Sequence, residues 1–383
     1  MRAIGKGAFG KVRIVRHKET GKQYALKYIS KNRAIERKSI GNIISERRLL
    51  ERIDFPLIVN LRYAFQDDDT LFMALDLMLG GDLRFLLERV GNLSELQTRH
   101  YIAQLGLSLN YLHKKRRMAH RDVKPDNILL DERGHAHLSD FNVACLFSDQ
   151  KPIRFSKAGT VAYMAPELLG KQGYTTSVDW WSLGIVAYEL LFGTRPFKGK
   201  SNDQLVASIL HDPLQFPENV YQIVSEDCVN VLSGLLERSP SRRLGAESFT
   251  NFKNHRWFAG LDWDAMEMKT AVPPFIPDSK CLNFDAVHEI EEILLEEPPL
   301  RTARRNRTTL SEHQPVTHEA QQRQTLEEKF LSFDYQKRRM AEERKQHPYT
   351  RGYMVISSST STMEDEDNMT DDNTVRSRNS NRP

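Results

Sequence analysis

The sequence predicts an α+β fold in two lobes, a small β-rich lobe first and a larger helical lobe after it, followed by a C-terminal extension. Three observations predict this. Near the start, Gly5-Lys6-Gly7-Ala8-Phe9-Gly10-Lys11-Val12 runs into the alternating Val12-Arg13-Ile14-Val15, a glycine-rich hairpin feeding a strand. From about residue 82 helical patterning takes over. The chain has 383 residues, 39% of them hydrophobic and 28% charged, enough for one large two-lobed domain and a tail. The expected boundaries are 1–78 for the small lobe, with its first strand incomplete at the start, and 79–258 for the large lobe. Residues 259–350 form the extension and 351–383 a disordered tail.

Each element has a local reason. Tyr24-Ala25-Leu26-Lys27 continues the strand pattern, and Lys27 by itself would read as a solvated strand end. A helix is expected over about 36–52, where Ile40, Ile43, Ile44 and Leu50 recur near helical spacing. Glu46 lies on it, and in isolation would be a surface acid paired with a neighbouring arginine. Leu71-Phe72-Met73-Ala74-Leu75 reads as a buried strand, and Gly80-Gly81-Asp82 breaks the chain before the helices begin. Ile128-Leu129-Leu130 and His137-Leu138-Ser139 read as short strands around the turn Asp131-Glu132-Arg133-Gly134.

Composition excludes some functions. With 55 basic and 51 acidic residues the net charge of +4 is too balanced to argue for a nucleic-acid partner. Cys145, Cys228 and Cys281 lie far apart without metal-ligand spacing, which suits a reducing compartment. No apolar run reaches transmembrane length, and no signal peptide precedes the first motif at Gly5. No Met-Gly myristoylation signal opens the chain as written, so an intracellular, cytoplasmic placement is expected without membrane anchoring.

The most informative stretch is His120-Arg121-Asp122-Val123-Lys124-Pro125-Asp126-Asn127, at the spacing H-R-D-x-x-x-x-N. Phosphoryl transfer needs an acceptor for a hydroxyl proton and a neutral oxygen ligand for Mg²⁺ close by. Asp122 suits the first role and Asn127 the second, while Lys124 places positive charge where the transferring group gathers negative charge. The competing reading is a polar turn ending at Pro125, which eight residues in order argue against.

On RAIGKGAFGKV, GGDLRFLL, HRDVKPDNILLDERGHAHLSDFNVA and VDWWSLGIVAYELL, residues 1 to about 258 resemble a eukaryotic protein kinase. Lys124 resembles the serine/threonine class, and the chain is similar to the YANK group (serine/threonine kinase 32-like) at the edge of the AGC kinases. The resemblance implies an ATP- and Mg²⁺-dependent kinase, with Mn²⁺ as a substitute metal, acting on Ser and Thr of protein substrates. Catalytic roles fall to Asp122, Lys124, Lys27 and Glu46, the last two as an ion pair that orients Lys27 on the phosphates. ATP would be held by Ile4, Gly5, Lys6, Gly7, Ala8, Phe9, Gly10, Lys11, Val12, Ala25, Lys27, Asp76, Met78 and Leu129. Leu75 would be the gatekeeper, Asp76-Leu77-Met78 the hinge, and Asn127 and Asp140 the metal ligands. Leu50, Leu61, His120 and Phe141 would form the regulatory spine.

Asp140-Phe141-Asn142 departs from the family's D-F-G at its last residue. Asparagine is the non-glycine residue that best tolerates left-handed dihedrals, so metal binding should survive and a Phe-out flip should be harder. The same resemblance makes Ser156 a phosphosite candidate, held by Arg121 if modified. It also expects Thr160 on Asp122 and Lys124, Glu167 paired with Arg243, and Asp179 holding the catalytic-loop backbone. Asp82, Asp126, Thr160 and Glu189 would bind the substrate, with the three acids favouring a basic sequence context.

Val272-Pro273-Pro274-Phe275-Ile276-Pro277 and Asn283-Phe284-Asp285 resemble the AGC tail that crosses the lobes, although a proline-rich run also reads as linker. Glu289–Glu297 is acidic and Arg301–Arg307 basic. Phe330-Leu331-Ser332-Phe333-Asp334-Tyr335 resembles the AGC hydrophobic motif, with Asp334 in place of a phospho-acceptor. A monomer whose tail docks on its own small lobe is expected; the alternative for this stretch is one amphipathic helix from Leu326 to about Lys345. Two functions remain in play, an active intracellular signalling kinase and a pseudokinase or scaffold that binds nucleotide or partners without efficient transfer, which Asn142 and the clipped first strand keep open.

Overall fold

A computed structural model describes residues 3–6, 11–170, 172–278, 283 and 318–346. Gly7, Ala8, Phe9 and Gly10 lie outside these residues, as do the side chains of Ile4, Gly5 and Lys6. So do the acidic Glu289–Glu297 stretch, the basic Arg301–Arg307 stretch and the expected tail 351–383.

The N-terminal region is an antiparallel sheet built from β1 (Ala3–Lys6), β2 (Lys11–Arg16), β3 (Gln23–Ser30), β4 (Leu61–Gln66) and β5 (Thr70–Leu75). The strands lie in the order β1-β2-β3-β5-β4. A sixth strand, β10 (Phe333–Asp334), comes from the far end of the chain and pairs antiparallel with β4, Phe333 opposite Ala64 and Asp334 opposite Tyr63. The expected helix over 36–52 is two helices, α1 (Lys31–Glu36) and α2 (Ile40–Leu50). Lys38 between them has φ +52°, a left-handed residue that ends the first helix before the second starts. One face of α2 buries Ile43, Ile44, Leu49 and Leu50, and also Glu46 and Arg47.

Helices then dominate, as the patterning predicts. They include α3 (Leu83–Val90), α4 (Glu95–Asn110), α5 (Pro166–Leu169) and α6 (Val178–Phe192). Asp82 caps α3 by accepting the Phe85 N–H, and Ser94 with Gln97 forms a reciprocal capping box on α4. Every residue of α6 up to Leu191 is buried, so it is a central rather than an amphipathic helix. Between α4 and α5 lie the short strands β6 (Met118–Ala119), β7 (Ile128–Leu130), β8 (Ala136–Leu138) and β9 (Cys145–Leu146). β7 pairs with β8 and β6 with β9, which fixes the loops on either side of residues 120–127 and 140–144.

The proline-rich stretch is packed. Phe275 O approaches Gly134 so closely that a Cβ there would stand 2.0 Å from it, and Gly134 has φ +92°, so only glycine fits that turn. Asn283 is buried and its amide donates to Leu79 O, 3.3 Å away, beside Gly81. At the C-terminal side a single helix from Leu326 to Lys345 does not form. A helix His318–Lys329 ends, β10 follows, and a second helix runs Tyr335–Gln346. The break comes where Phe330 turns into the core: it is fully buried, as is Leu326 one turn earlier. The described residues from Gln336 on belong to a unit of their own, and their helix carries the i,i+4 ion pairs Arg338–Glu342 and Arg339–Glu343.

Candidate active site

The loop 120–127 is held from below by Asp179 near the start of α6. Its two carboxylate oxygens accept the backbone N–H groups of His120 and Arg121, each at 2.8 Å, and the His113 Nε2–H at 2.8 Å. Asp179 is fully buried; burial raises its pKa, but these three donors outweigh it and hold the carboxyl below the usual range. Arg121 has φ +69°, a left-handed turn immediately before the buried Asp122.

Asp122 is the centre of a converging set. Its Oδ1 accepts the Thr160 N–H at 2.9 Å and the Thr160 hydroxyl at 2.7 Å. Its Oδ2 accepts the Asn127 amide at 2.9 Å and lies 3.0 Å from Lys124 Nζ. Lys124 also donates to Thr160 Oγ1 at 2.9 Å. Burial pushes the Asp122 carboxyl up, but Thr160 and Lys124 prevail and keep it below the ordinary carboxylate range, ionised at neutral pH. Thr160 can approach because Gly159 precedes it. With φ +114°, any Cβ at Gly159 would stand 2.2 Å from Arg121 O.

Asn127 donates its second amide hydrogen bond to Asp122 O at 2.8 Å, so both donors go to the loop and its carbonyl oxygen is left for another partner. Asp140 stands on the opposite strand connection with φ +60°. The Asn142 amide donates to its Oδ2 at 3.3 Å, while its Oδ1 is buried with no hydrogen-bond partner. A carboxylate oxygen without a hydrogen-bond partner on Asp140 and a neutral amide oxygen on Asn127 are the kinds of oxygen donor that a hard cation such as Mg²⁺ takes. Among the described residues there is no cluster of three or more His, Cys, Asp or Glu that could hold a metal ion.

Lys27 on β3 reaches Glu46 on α2 at 2.6 Å and lies 4.0 Å from Asp140. Burial favours the uncharged amine, but Glu46 and Asp140 outweigh it and raise the lysine above its ordinary range. Ala25, Lys27, Met73 and Leu75 share the β3–β5 register, which places the expected gatekeeper opposite Ala25. Asp76 spends its N–H on Asn60 O and its carboxylate on Arg62, at 2.6 and 2.8 Å. Leu50, Leu61, His120 and Phe141 are all buried in one core, with the His120 and Phe141 rings edge to face at 4.8 Å.

The helical-lobe expectations meet their partners. Glu167 and Arg243 form a two-pronged ion pair at 2.6 and 2.9 Å, with Arg243 also over the Trp181 ring. Ser156 lies beside Arg121, whose Nη1 donates to Ser156 Oγ at 3.0 Å and to Tyr174 Oη at 2.7 Å. Tyr174 itself donates to Ser156 O at 2.8 Å. Asp82, Asp126 and Glu189 gather near the loop, but Arg84 already touches two of them. Sequence reasoning missed Arg84, Tyr174 and His113. Nothing in their spacing marks them, because their partners lie beyond the reach of local periodicity: His113 acts on Asp179 66 positions off, Arg84 on Tyr163 79 positions off, and Tyr174 on Ser156 and Arg121, 18 and 53 positions off.

A family model described as the protein kinase domain matches residues 1–258. The chain belongs to the protein kinase family. Human serine/threonine-protein kinase 32C is 43% identical over 305 residues, covering 78% of this chain and 62% of the relative. Human serine/threonine-protein kinase 32B is 39% identical over 354 residues, covering 88% and 84%. Zebrafish serine/threonine-protein kinase Sgk1 is 39% identical over 280 residues, covering 73% and 64%. The chain thus spans less than two thirds of the length of the 32C and Sgk1 kinases it matches. These kinase relatives all carry serine/threonine names, and a protein kinase is a transferase that uses ATP. Among the described residues no helix is long and apolar enough to cross a membrane.

Proposed function

We propose that this chain is an active protein serine/threonine kinase that passes the γ-phosphate of ATP to Ser or Thr hydroxyls of intracellular signalling substrates. One observation carries the reading: Thr160, Lys124 and Asn127 all converge on the two oxygens of Asp122. Such a carboxylate is fixed in direction and ionised, which suits it to receive the proton of an incoming hydroxyl. Lys124, 3.0 Å away, offsets negative charge gathering beside that oxygen. Lys27, kept charged and aimed by Glu46, suits the nucleotide phosphates. Asn127 and Asp140 would hold Mg²⁺, or Mn²⁺ in its place, and the ion would neutralise charge on the phosphates.

The tail seated on the N-terminal sheet fits a monomer that completes its own small lobe in cis. The basic context expected from Asp82, Asp126 and Glu189 depends on those carboxylates meeting the peptide, and two of the three already hold Arg84. Transfer of labelled phosphate from Mg²⁺·ATP to a Ser/Thr peptide library tests the activity. Asp122→Asn should lower it by about 10²- to 10⁴-fold with folding intact. Equal rates for the two proteins would remove the kinase reading in favour of a scaffold.

A further inference from the structure

Arg84 sits on α3 two residues after the Asp82 cap, and its guanidinium lies inside the acidic cluster beside the catalytic loop. Nη1 and Nη2 donate to the two oxygens of Glu189 at 3.2 and 3.3 Å, and Nη2 donates to Tyr163 Oη at 2.6 Å. Nε stands 3.5 Å from the Asp126 carboxylate. Tyr163 donates its own hydroxyl to Glu189, and Arg195 comes within 3.8 Å of the same carboxylate. Glu189 is buried, so its charge is met here almost entirely by protein. Two guanidinium groups therefore balance two carboxylates. The third acid, Asp82, uses Oδ1 as the cap of α3.

This cluster adjoins the reacting groups. Asp126 belongs to the same loop as Asp122, and Tyr163 follows Thr160, which binds Asp122, by one turn of helix. A peptide offering its hydroxyl to Asp122 must lay a flanking side chain across the cluster.

We propose that Arg84 is a specificity-determining residue that occupies the place of a substrate arginine, so that the kinase does not select arginine at the flanking position meeting Glu189 and Asp126. The inference rests on the reading of Asp122 as the base of a peptide-directed transfer. An entering guanidinium finds both oxygens of Glu189 engaged in charge-assisted bonds and meets repulsion from Arg84 and Arg195. A neutral or acidic side chain meets neither obstacle. Truncating Arg84 leaves a buried carboxylate short of its main partner, and a substrate arginine then restores it.

The test is a binding measurement, so its outcome is separate from whether the chain turns over ATP. Fluorescein-labelled peptides carry alanine at the acceptor and either arginine or citrulline at each flanking position in turn. They are titrated into the full chain and into Arg84→Ala and Arg84→Gln, with anisotropy as the readout and thermal melting as the check on folding. The wild type should bind each arginine and citrulline pair within about threefold. A folded variant should favour arginine by at least about threefold, rising toward about tenfold, at one position. Wild-type preference for arginine above that threshold overturns the proposal. So does a folded variant that gains none, including one that binds no peptide, and if both variants unfold the wild-type result decides alone.

Discussion

The departure at Asn142 shows how one side chain can be carried without losing the geometry around it. A glycine there would leave Asp140 Oδ2 without the amide now 3.3 Å away, and the carboxylate would be less well aimed in the absence of metal. Asn142→Gly should therefore raise the Mg²⁺ concentration for half-maximal phosphate transfer, measured by a metal titration at fixed ATP. An unchanged midpoint would make the contact incidental. At Ser156 the structure already supplies Arg121 with hydroxyl partners from Ser156 and Tyr174. A hydrogen bond from a charged donor such as Arg121 is worth about 1.5–3 kcal/mol. Ser156→Ala should thus reduce peptide phosphorylation by no more than about a hundredfold. A much larger loss in the unphosphorylated protein would show that the hydroxyl does more than hold the loop.

Elements explain why the C-terminal stretch matters to a site so far from it in sequence. The helix His318–Lys329 lies against α1 and α2, and Arg323 donates to Asn32, to Asp68 O and to Asp69. Gln66 on β4 donates to the carbonyls of Glu327 and Phe330, and Tyr335 donates to Asp54 while lying under the Arg62 guanidinium. α2 carries Glu46, and the helix His318–Lys329 that ends at Phe330 packs on α2, which ties the tail to the element bearing the Lys27 pair. Phe330→Ala should cost about 3–5 kcal/mol, seen as a lower Tm, and should lower transfer more than it lowers peptide affinity. A folded variant with full activity would detach the tail from catalysis. Much of this region was legible beforehand. The F-x-x-F spacing expected docking, and Phe330 and Phe333 dock; the break between two helices was not legible, because a strand of two residues has no period to read. For the same reason α1 and α2 merged into one expected helix, since a turn at Lys38 leaves little mark on apolar spacing.

Over the whole molecule, buried charge sets the pH range of stability. His100 and His135 are buried with their rings 6.0 Å apart. The Gln104 amide donates to His135 Nδ1 at 2.9 Å, which requires that nitrogen to be unprotonated. Burial drives each imidazole from 6.5 down to about 4. Between those values the unfolded chain binds protons that the folded chain refuses, so their contribution is complete above 6.5 and lost as pH falls toward 4. Thermal melting should show Tm declining over that window, and His100→Phe should make the decline shallower. An equal slope would exclude this histidine as a source. Arg243 belongs to the same scale, since it joins Glu167 on α5 to Ser177 O, just before the central helix. Arg243→Ala should cost about 3–5 kcal/mol because Glu167 stays buried without its partner.

By itself the sequence determined the local chemistry: the glycine and proline positions, the strand and helix periods, and the order of Lys27, Glu46, Asp122, Asn127 and Asp140 along the chain. Those features depend on neighbours a few residues apart, which a linear string preserves. Only the tertiary structure decided which charges meet. Arg84 fills the space between Glu189 and Asp126, Tyr174 reaches Arg121, and Gln66 on β4 holds the Phe330 carbonyl because folding brings together groups separated by tens to hundreds of positions. Electrostatic pairing and burial depend on distance through space, and sequence spacing carries almost none of that information.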